Sequence, residues 1–600
     1  MIRTLFVPKT YGNCADPFLT LGLANLVEFA QRQTENNPTV QLIDAGSQYR
    51  LELQTPLDID AIARIEYANP FPPVVGAKTE KKDQLPAETP VFNAVEQKEI
   101  RKQYRDYLYQ SGGKPEWEED APKPADPRTQ NATLLTAMRH DRNHNRLWLE
   151  AWKLRDSYGL LLASIFRAYS QPSWEAGDRP SDRAAQSLKK ENALKLPNSD
   201  SAVKVYQPTA VEGMTRVKTD APSFKSQKEN WLNLWLIASG FFHFALSEQV
   251  KIAEKKYDWR TVALCPQDIS LAAYRQVLDR LRQYNPPGGG HGIARFDAEL
   301  VLKLARELLD YHAAKAQDTP SEGWDIWQRS LNRFVSRFHG THFGSKGQVY
   351  GVQAIFSLGL PSWISPENYN ELLDYQQILD EHLAVIRGLS AEAGHAELLN
   401  AYRDFITGNS LTAFFPFQVK YADYLVKKLA DPHAPNPRQF SKHGLDLMSK
   451  KDVRFTQITQ DPSFLRIAKA INQATVHAGR IQTRNGEVEL DWQRNYGLAQ
   501  QLSSQSGSKK DFVCAIADFL AKYENENLRI SEDKNKTLKR VWPTKDDLDR
   551  LIELIDEFDT VLVANLLVAY GYARWHKPKS DAASEPAEAA EEIEVTPEDF

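Results

Sequence analysis

Between residues 546 and 575, Leu548, Leu551, Ile552, Ile555, Phe558, Leu562 and Leu566 recur three or four positions apart and so share one helix face. A stripe that long is not stable against water and demands partner helices. Thr544-Lys-Asp-Asp547 in front of it is close to a capping box, with Asp in place of Glu. Further helical patterns lie near residues 462–473 and 511–523, so residues 445–576 are predicted to form a C-terminal helical bundle. The Pro-rich, polar stretch 431–444 ahead of it reads as a boundary.

The other end mixes strand and helix signals. Residues 1–68 carry a strand over 2–7, a helix over 17–31 with Pro17 in its first turn, a hairpin of strands 40–44 and 49–53, and a helix near 57–67. A small α+β unit is the economical reading. Residues 69–230 hold a helical pattern over 132–168 between two irregular stretches. The first, 69–130, contains nine prolines and a basic helix over 96–109, on which Lys98, Arg101, Lys102 and Arg105 are spaced to share a face. Residues 231–430 read as a mixed, mainly helical central domain, with an apolar core helix over 231–250 and amphipathic helices over 369–404 and 411–430. The expected fold class is α+β and predominantly helical, ending in an acidic, disordered tail over 577–600.

Length allows three or four domains of about 150 residues. A hydrophobic content of 42% with 13 Trp and 23 Tyr excludes wholesale disorder. No apolar run is long enough to cross a membrane, and the first ten residues open on a strand-like run, so a cytoplasmic location is expected. Cys14, Cys265 and Cys514 are scattered, which supports neither a disulfide framework nor a zinc site. The net charge of −5 hides local differences. Residues 448–580 carry 21 Lys and Arg against 18 Asp and Glu, residues 581–600 carry eight carboxylates and no base, and residues 1–447 balance to zero. A uniformly basic nucleic-acid binder is excluded, so any polyanion surface must be local.

Four local patterns point to such surfaces. In the second irregular stretch, 171–230, nine basic residues stand against four acidic ones between 183 and 228; Lys189, Lys190, Lys195, Arg216 and Lys218 are candidate phosphate contacts. The run Pro286-Pro-Gly288-Gly289-Gly290-His291 frees backbone N–H groups to meet a phosphate or a base edge, or forms a loose turn. Arg329, Arg333 and Arg337 fall at helical spacing, as a cationic stripe leading into a Gly/His segment that ends at Lys346. In the C-terminal module Arg454, Arg466, Lys469, Arg480 and Arg484 are candidates to hold a displaced strand. His140 and His144 stand four apart, a metal-compatible spacing, but no Glu follows the first His and no third ligand is evident; Arg139, Arg142 and Arg146 on the same turns argue better for an anion. Gly340-Thr-His-Phe-Gly344-Ser-Lys346 is not a nucleotide-binding loop, because three residues separate its glycines and its Lys is not followed by Ser or Thr. No cofactor, metal or catalytic motif is expected.

An α+β head with basic insertions, no catalytic motif, and a helical bundle preceded by Met448 together resemble the large subunit of a type I CRISPR Cascade complex, the Cas-eight family, most similar to its subtype B branch. The resemblance lies in architecture and carries over no residue. It implies an antiviral-defense or transposon-associated ribonucleoprotein complex. The partners it implies are a crRNA, target double-stranded DNA, the backbone, crRNA-end and small subunits, and a recruited helicase-nuclease or transposition adaptor. It also implies PAM recognition and support of an R-loop, with a C-terminal bundle like the separate small subunit, which some subtypes make by internal translation. Met448 sits where such a start would be useful. From the residues alone, two other readings stay open: an enzyme whose site gathers distant residues such as His140, His144 and His291, or a structural subunit of another assembly.

Overall fold

The computed structural model describes residues 1–575 except 35–38, 68, 80–84, 87–88, 112–120, 173–178, 198, 209–227, 289–291, 319–329, 346–349, 409, 432, 434–436, 478–479, 484–487, 491–493, 533–535 and 538–539. Helices dominate and small, mostly antiparallel sheets accompany them, so the fold is α+β and mainly helical with a helical C-terminal region. Contacts divide the chain into two compact units. Among the described residues the first comprises 1–296 and 331–360, and the second 297–330 and 361–575.

In the first unit, β1 (Ile2–Pro8), β2 (Val40–Asp44) and β3 (Gln48–Leu57) form an antiparallel sheet in which β3 lies between β1 and β2, and β10 (Asp268–Ser270) extends it beside β2. Its central helices are α1 (Ala15–Gln33) and α8 (Trp231–Phe244), both apolar on nearly every side and buried accordingly. They cross backbone to backbone. A Cβ on Gly22 would lie 1.9 Å from the carbonyl oxygen of Leu236, and one on Gly240 would lie 1.8 Å from that of Phe18. The helix expected near 57–67 is a single turn, α2 (Ile59–Ile62), because β3 stays paired through Leu57 and Asp58 then caps the turn.

The apolar run 231–250 is likewise not one helix. It leaves the helix at Ala245 and continues as β8 (Leu246–Ala253), paired with β9 (Lys256–Pro266). Two side chains complete the helix end. Asn131 donates to the carbonyls of Phe241, Phe242 and Ala245, and Arg282, from α9 (Leu271–Gln283), donates to those of His243 and Ala245. Beyond β9 the second sheet continues through β11 (Val335–Ser345) to β12 (Tyr350–Gly359). This overturns the helical arginine stripe. Arg333 closes a single 3₁₀ turn, and Arg337 is a strand residue paired between Cys265 and Gly359. Phe338 and Phe343, five residues apart and so on opposite faces of the strand, are both fully buried.

The helical block 132–168 is three helices: α4 (Thr129–Ala137), α5 (Asp141–Trp152) and α6 (Tyr158–Tyr169). The first break falls at Arg139, whose φ is +58°. The short parallel pair β4 (Val74–Val75) and β5 (Phe92–Asn93) flanks this block and leads into α3 (Ala94–Gln110). α7 (Pro180–Asn192) packs on α6.

The second unit contains most of α10 (Ile293–Asp318), with α11 (Tyr369–Arg387), α12 (Ala396–Ile406), α13 (Phe414–Ala430), α14 (Lys442–Ser449), α15 (Val453–Thr459), α16 (Pro462–Thr475), α17 (Leu498–Gln505), α18 (Lys509–Ser531), α19 (Lys545–Phe558) and α20 (Thr560–Gly571). A cluster of Trp363, His382, Tyr402, Phe405, Phe414, Phe417, Tyr421 and Phe440 forms one part of its core. The segment 431–444 joins helices of this one unit. Ser441 and Arg574 both bond Glu381 on α11, and Arg574 pairs with the backbone on either side of Ser441. Met448 is buried in the last turn of α14, two residues after Asp446, which accepts a hydrogen bond from Tyr570. The long apolar stripe at 546–575 does find partner helices, α16 among them, but it breaks at Asp559, where φ is +121° and the side chain caps α20. The tail 577–600 lies outside the described residues.

Candidate nucleic-acid interface

Four segments of the first unit converge on a cavity of about 880 Å³, and each contributes one cation: Lys78, Lys98, Arg139 and Arg142. Asn145 sets the first segment. Its side chain accepts from Val74 N and donates to Val74 O, both at 2.8 Å, so it behaves as an extra strand partner that holds β4 against α5. The chain then turns through Gly76-Ala-Lys-Thr79. Thr79 N bonds Gly76 O, Gly76 N bonds Thr79 Oγ1, and Thr79 Oγ1 donates to Asp141. A Cβ on Gly76 would come within 2.7 Å of the Thr136 methyl, so glycine lets this turn rest on α4. Lys98 comes from the second turn of α3, which Asn93 caps. Arg139 comes from the end of α4, and Arg142 from the first turn of α5.

All four cations are exposed, and none has an ion pair or side-chain hydrogen bond among the described residues. Their neighbours differ. Arg101 pairs with the buried Glu248, Arg128 with Asp126, Arg146 with Asp200 and Lys153 with Glu150. Among the described residues the lining otherwise consists of small, aliphatic and hydroxyl side chains, with Asp141 as its carboxylate and no aromatic ring. Such a surface can attract anions by charge, and its described side chains offer no ring on which a base could stack.

This geometry redistributes the arginines and lysines singled out in the sequence. Lys98 of the basic helix reaches the groove, whereas Arg101 turns inward to Glu248 and Arg105 is half-buried, so the four cations of α3 do not form one solvent face. Of the trio that favoured an anion, Arg139 and Arg142 line the groove and Arg146 is occupied by Asp200. Lys78 had no sequence signal, because it sits in a Pro-rich stretch that resembles a linker.

Lys189, Lys190 and Lys195 are exposed at and just beyond the end of α7. Gly288 follows α9 in coil, and Arg333 and Arg337 are exposed. In the second unit Arg454 pairs with Asp452, Arg466 pairs with the buried Asp547, and the Lys469 ammonium lies 4.9 Å from the Trp575 ring, where burial lowers its pKa. The Arg480 backbone pairs with Leu490 in a small strand pair. Gly289, Gly290, His291, Arg329, Lys346, Arg216, Lys218 and Arg484 lie outside the described residues.

The two histidines occupy different settings. His140 precedes α5, and burial, assisted by Lys204, pushes its pKa down to about 4. His144 is fully buried against Phe71 and Phe242, at ring distances of 4.5 and 5.8 Å, and burial pushes its pKa down to about 3. That is a core imidazole held neutral. Among the described residues, no group of three His, Cys, Asp or Glu side chains could hold a metal ion, and no helix is long and apolar enough to cross a membrane. Compared with known proteins, the chain matches no family model and no curated sequence.

Proposed function

We propose that this chain is the non-enzymatic large subunit of an RNA-guided DNA-binding complex, of the type I Cascade kind that its architecture resembles. In this reading it works in the cytoplasm and associates with the crRNA and the other Cascade subunits. It holds the duplex that carries the PAM, supports strand separation while the guide pairs with its target, and recruits a helicase-nuclease or a transposition adaptor. Base pairing supplies most of the sequence specificity, so the protein has chiefly to hold phosphates and inspect a short duplex segment. The observation that carries the proposal is the convergence of Lys78, Lys98, Arg139 and Arg142, without carboxylate partners among the described residues, on one groove. The exposed lysines of α7 and the exposed Arg333 and Arg337 add further cationic positions in the same unit.

The test is binding of the purified full chain to duplex DNA across a range of salt concentrations. Phosphate contacts release counterions, so affinity should fall steeply and log-linearly with salt. Binding that is absent at low salt, or that salt leaves unchanged, contradicts the proposal.

A further inference from the structure

The end of α4 forms a complete Schellman motif. Arg139 N bonds Thr136 O at 3.1 Å and His140 N bonds Leu135 O at 2.8 Å, with Arg139 in the left-handed region at φ +58°. This position favours glycine, because any Cβ crowds the backbone there. An arginine in it weakens the fold relative to glycine. Its side chain offers no visible compensation, since it is exposed and forms no ion pair or hydrogen bond among the described residues. What that side chain does reach is the groove, beside Lys78, Lys98 and Arg142. The first turn of α5 lines the same cavity with Arg142 and with Asp141, whose carboxylate accepts from Thr79.

We propose that this groove grips the sugar-phosphate backbone of duplex DNA without regard to sequence, and that Arg139 keeps its strained position for the sake of that grip. The inference rests on reading the chain as a polyanion binder. Duplex is favoured over single strand by what the groove lacks. Sequence-neutral single-strand sites combine charge with aromatic stacking, and among the described residues no aromatic ring lines this cavity. A duplex keeps its bases stacked on one another and presents phosphates alone.

The test compares the full chain with Arg139→Gly, Arg139→Lys and Lys420→Gln, the last being a charge control on α13 that pairs with Glu397. Each is measured by thermal unfolding and by fluorescence anisotropy with labelled duplexes of two unrelated sequences and with single-stranded RNA of equal length. Arg139→Gly should melt about 2 °C higher, because the strain is relieved. It should also bind both duplexes about fivefold more weakly near physiological salt, the share of one phosphate contact. Arg139→Lys should retain most of the affinity without the gain in Tm, and Lys420→Gln should change binding less than twofold. If Arg139→Gly binds duplex as tightly as the parent, or melts lower, the inference is overturned. Tighter binding to single-stranded RNA than to duplex overturns the choice of ligand. Should the parent chain bind no duplex even at low salt, the proposed function itself fails, which is a different outcome from an unchanged Arg139→Gly.

Discussion

Replacing Gly240 with Ala should damage the first unit more than its single added carbon suggests. The new Cβ would stand 1.8 Å from the Phe18 carbonyl oxygen and 2.6 Å from its carbon. To reach even 3.0 Å, α1 and α8 must part by about 1.2 Å, and both partners are backbone, so no rotamer change can absorb the clash. Overpacking of this kind costs about 1–3 kcal/mol, and a backbone clash between two buried helices belongs at the upper end. Alanine in a helix interior recovers about 1 kcal/mol of propensity. The net loss should be about 2 kcal/mol, read from urea unfolding followed by tryptophan fluorescence, since Trp231 and Trp235 lie buried on α8 itself. Gly22→Ala meets the reciprocal contact at Leu236, and one separation of the helices relieves both, so the double variant should lose less than the sum. Gly507→Ala is the control, with nothing within 4 Å of its Cβ and an expected change within about 0.5 kcal/mol. A Gly240→Ala protein as stable as the parent would refute the close crossing.

Two further outcomes follow from charge. Four groove cations on four phosphates correspond to a slope of about −3.6 in log affinity against log salt, so Lys98→Gln with Arg142→Gln should flatten the observed slope by about 1.8, measured by anisotropy between low and moderate salt. An unchanged slope would remove both residues from the interface. For His144, the folded pKa of about 3 lies below the unfolded value of about 6.5, so the unfolded chain binds the extra proton. Its contribution to stability is full above pH 6.5 and is lost as pH falls towards 3. Between pH 7 and pH 5 that loss is about 2 kcal/mol, and His144→Phe, which keeps a ring against Phe71 and Phe242, should spare it in denaturation curves at the two pH values. Equal pH sensitivity in the two proteins would contradict a buried neutral imidazole.

Periodicity made the N-terminal hairpin and the partner-seeking helices at the C-terminus legible in the sequence, because alternation of apolar residues fixes which face is buried. It failed where long-range groups terminate an element. Nothing in 231–250 announces that Asn131 and Arg282 will take the last carbonyls of α8 and let the chain leave as a strand. Nothing near Asp559 marks a break either, since an aspartate at φ +121° has no local signature. The helical spacing of Arg333 and Arg337 is a coincidence of number, overridden by the pairing of β11 on both its edges. At the groove, Arg139, Arg142 and Lys98 could be suspected from local charge. Their union with Lys78 could not, because it depends on Asn145 pinning a Pro-rich segment to α5 from about seventy residues away.

As proposed, the chain engages target duplex on behalf of a guide-RNA complex without chemistry of its own. The direct measurement is target-DNA binding by the guide-loaded partner subunits with and without this chain, on a matched duplex carrying or lacking the flanking motif. Tight binding should require both the chain and the motif, salt should weaken it steeply, and the DNA should remain uncut until an effector is added. Equal target binding by the assembly that lacks the chain would contradict it.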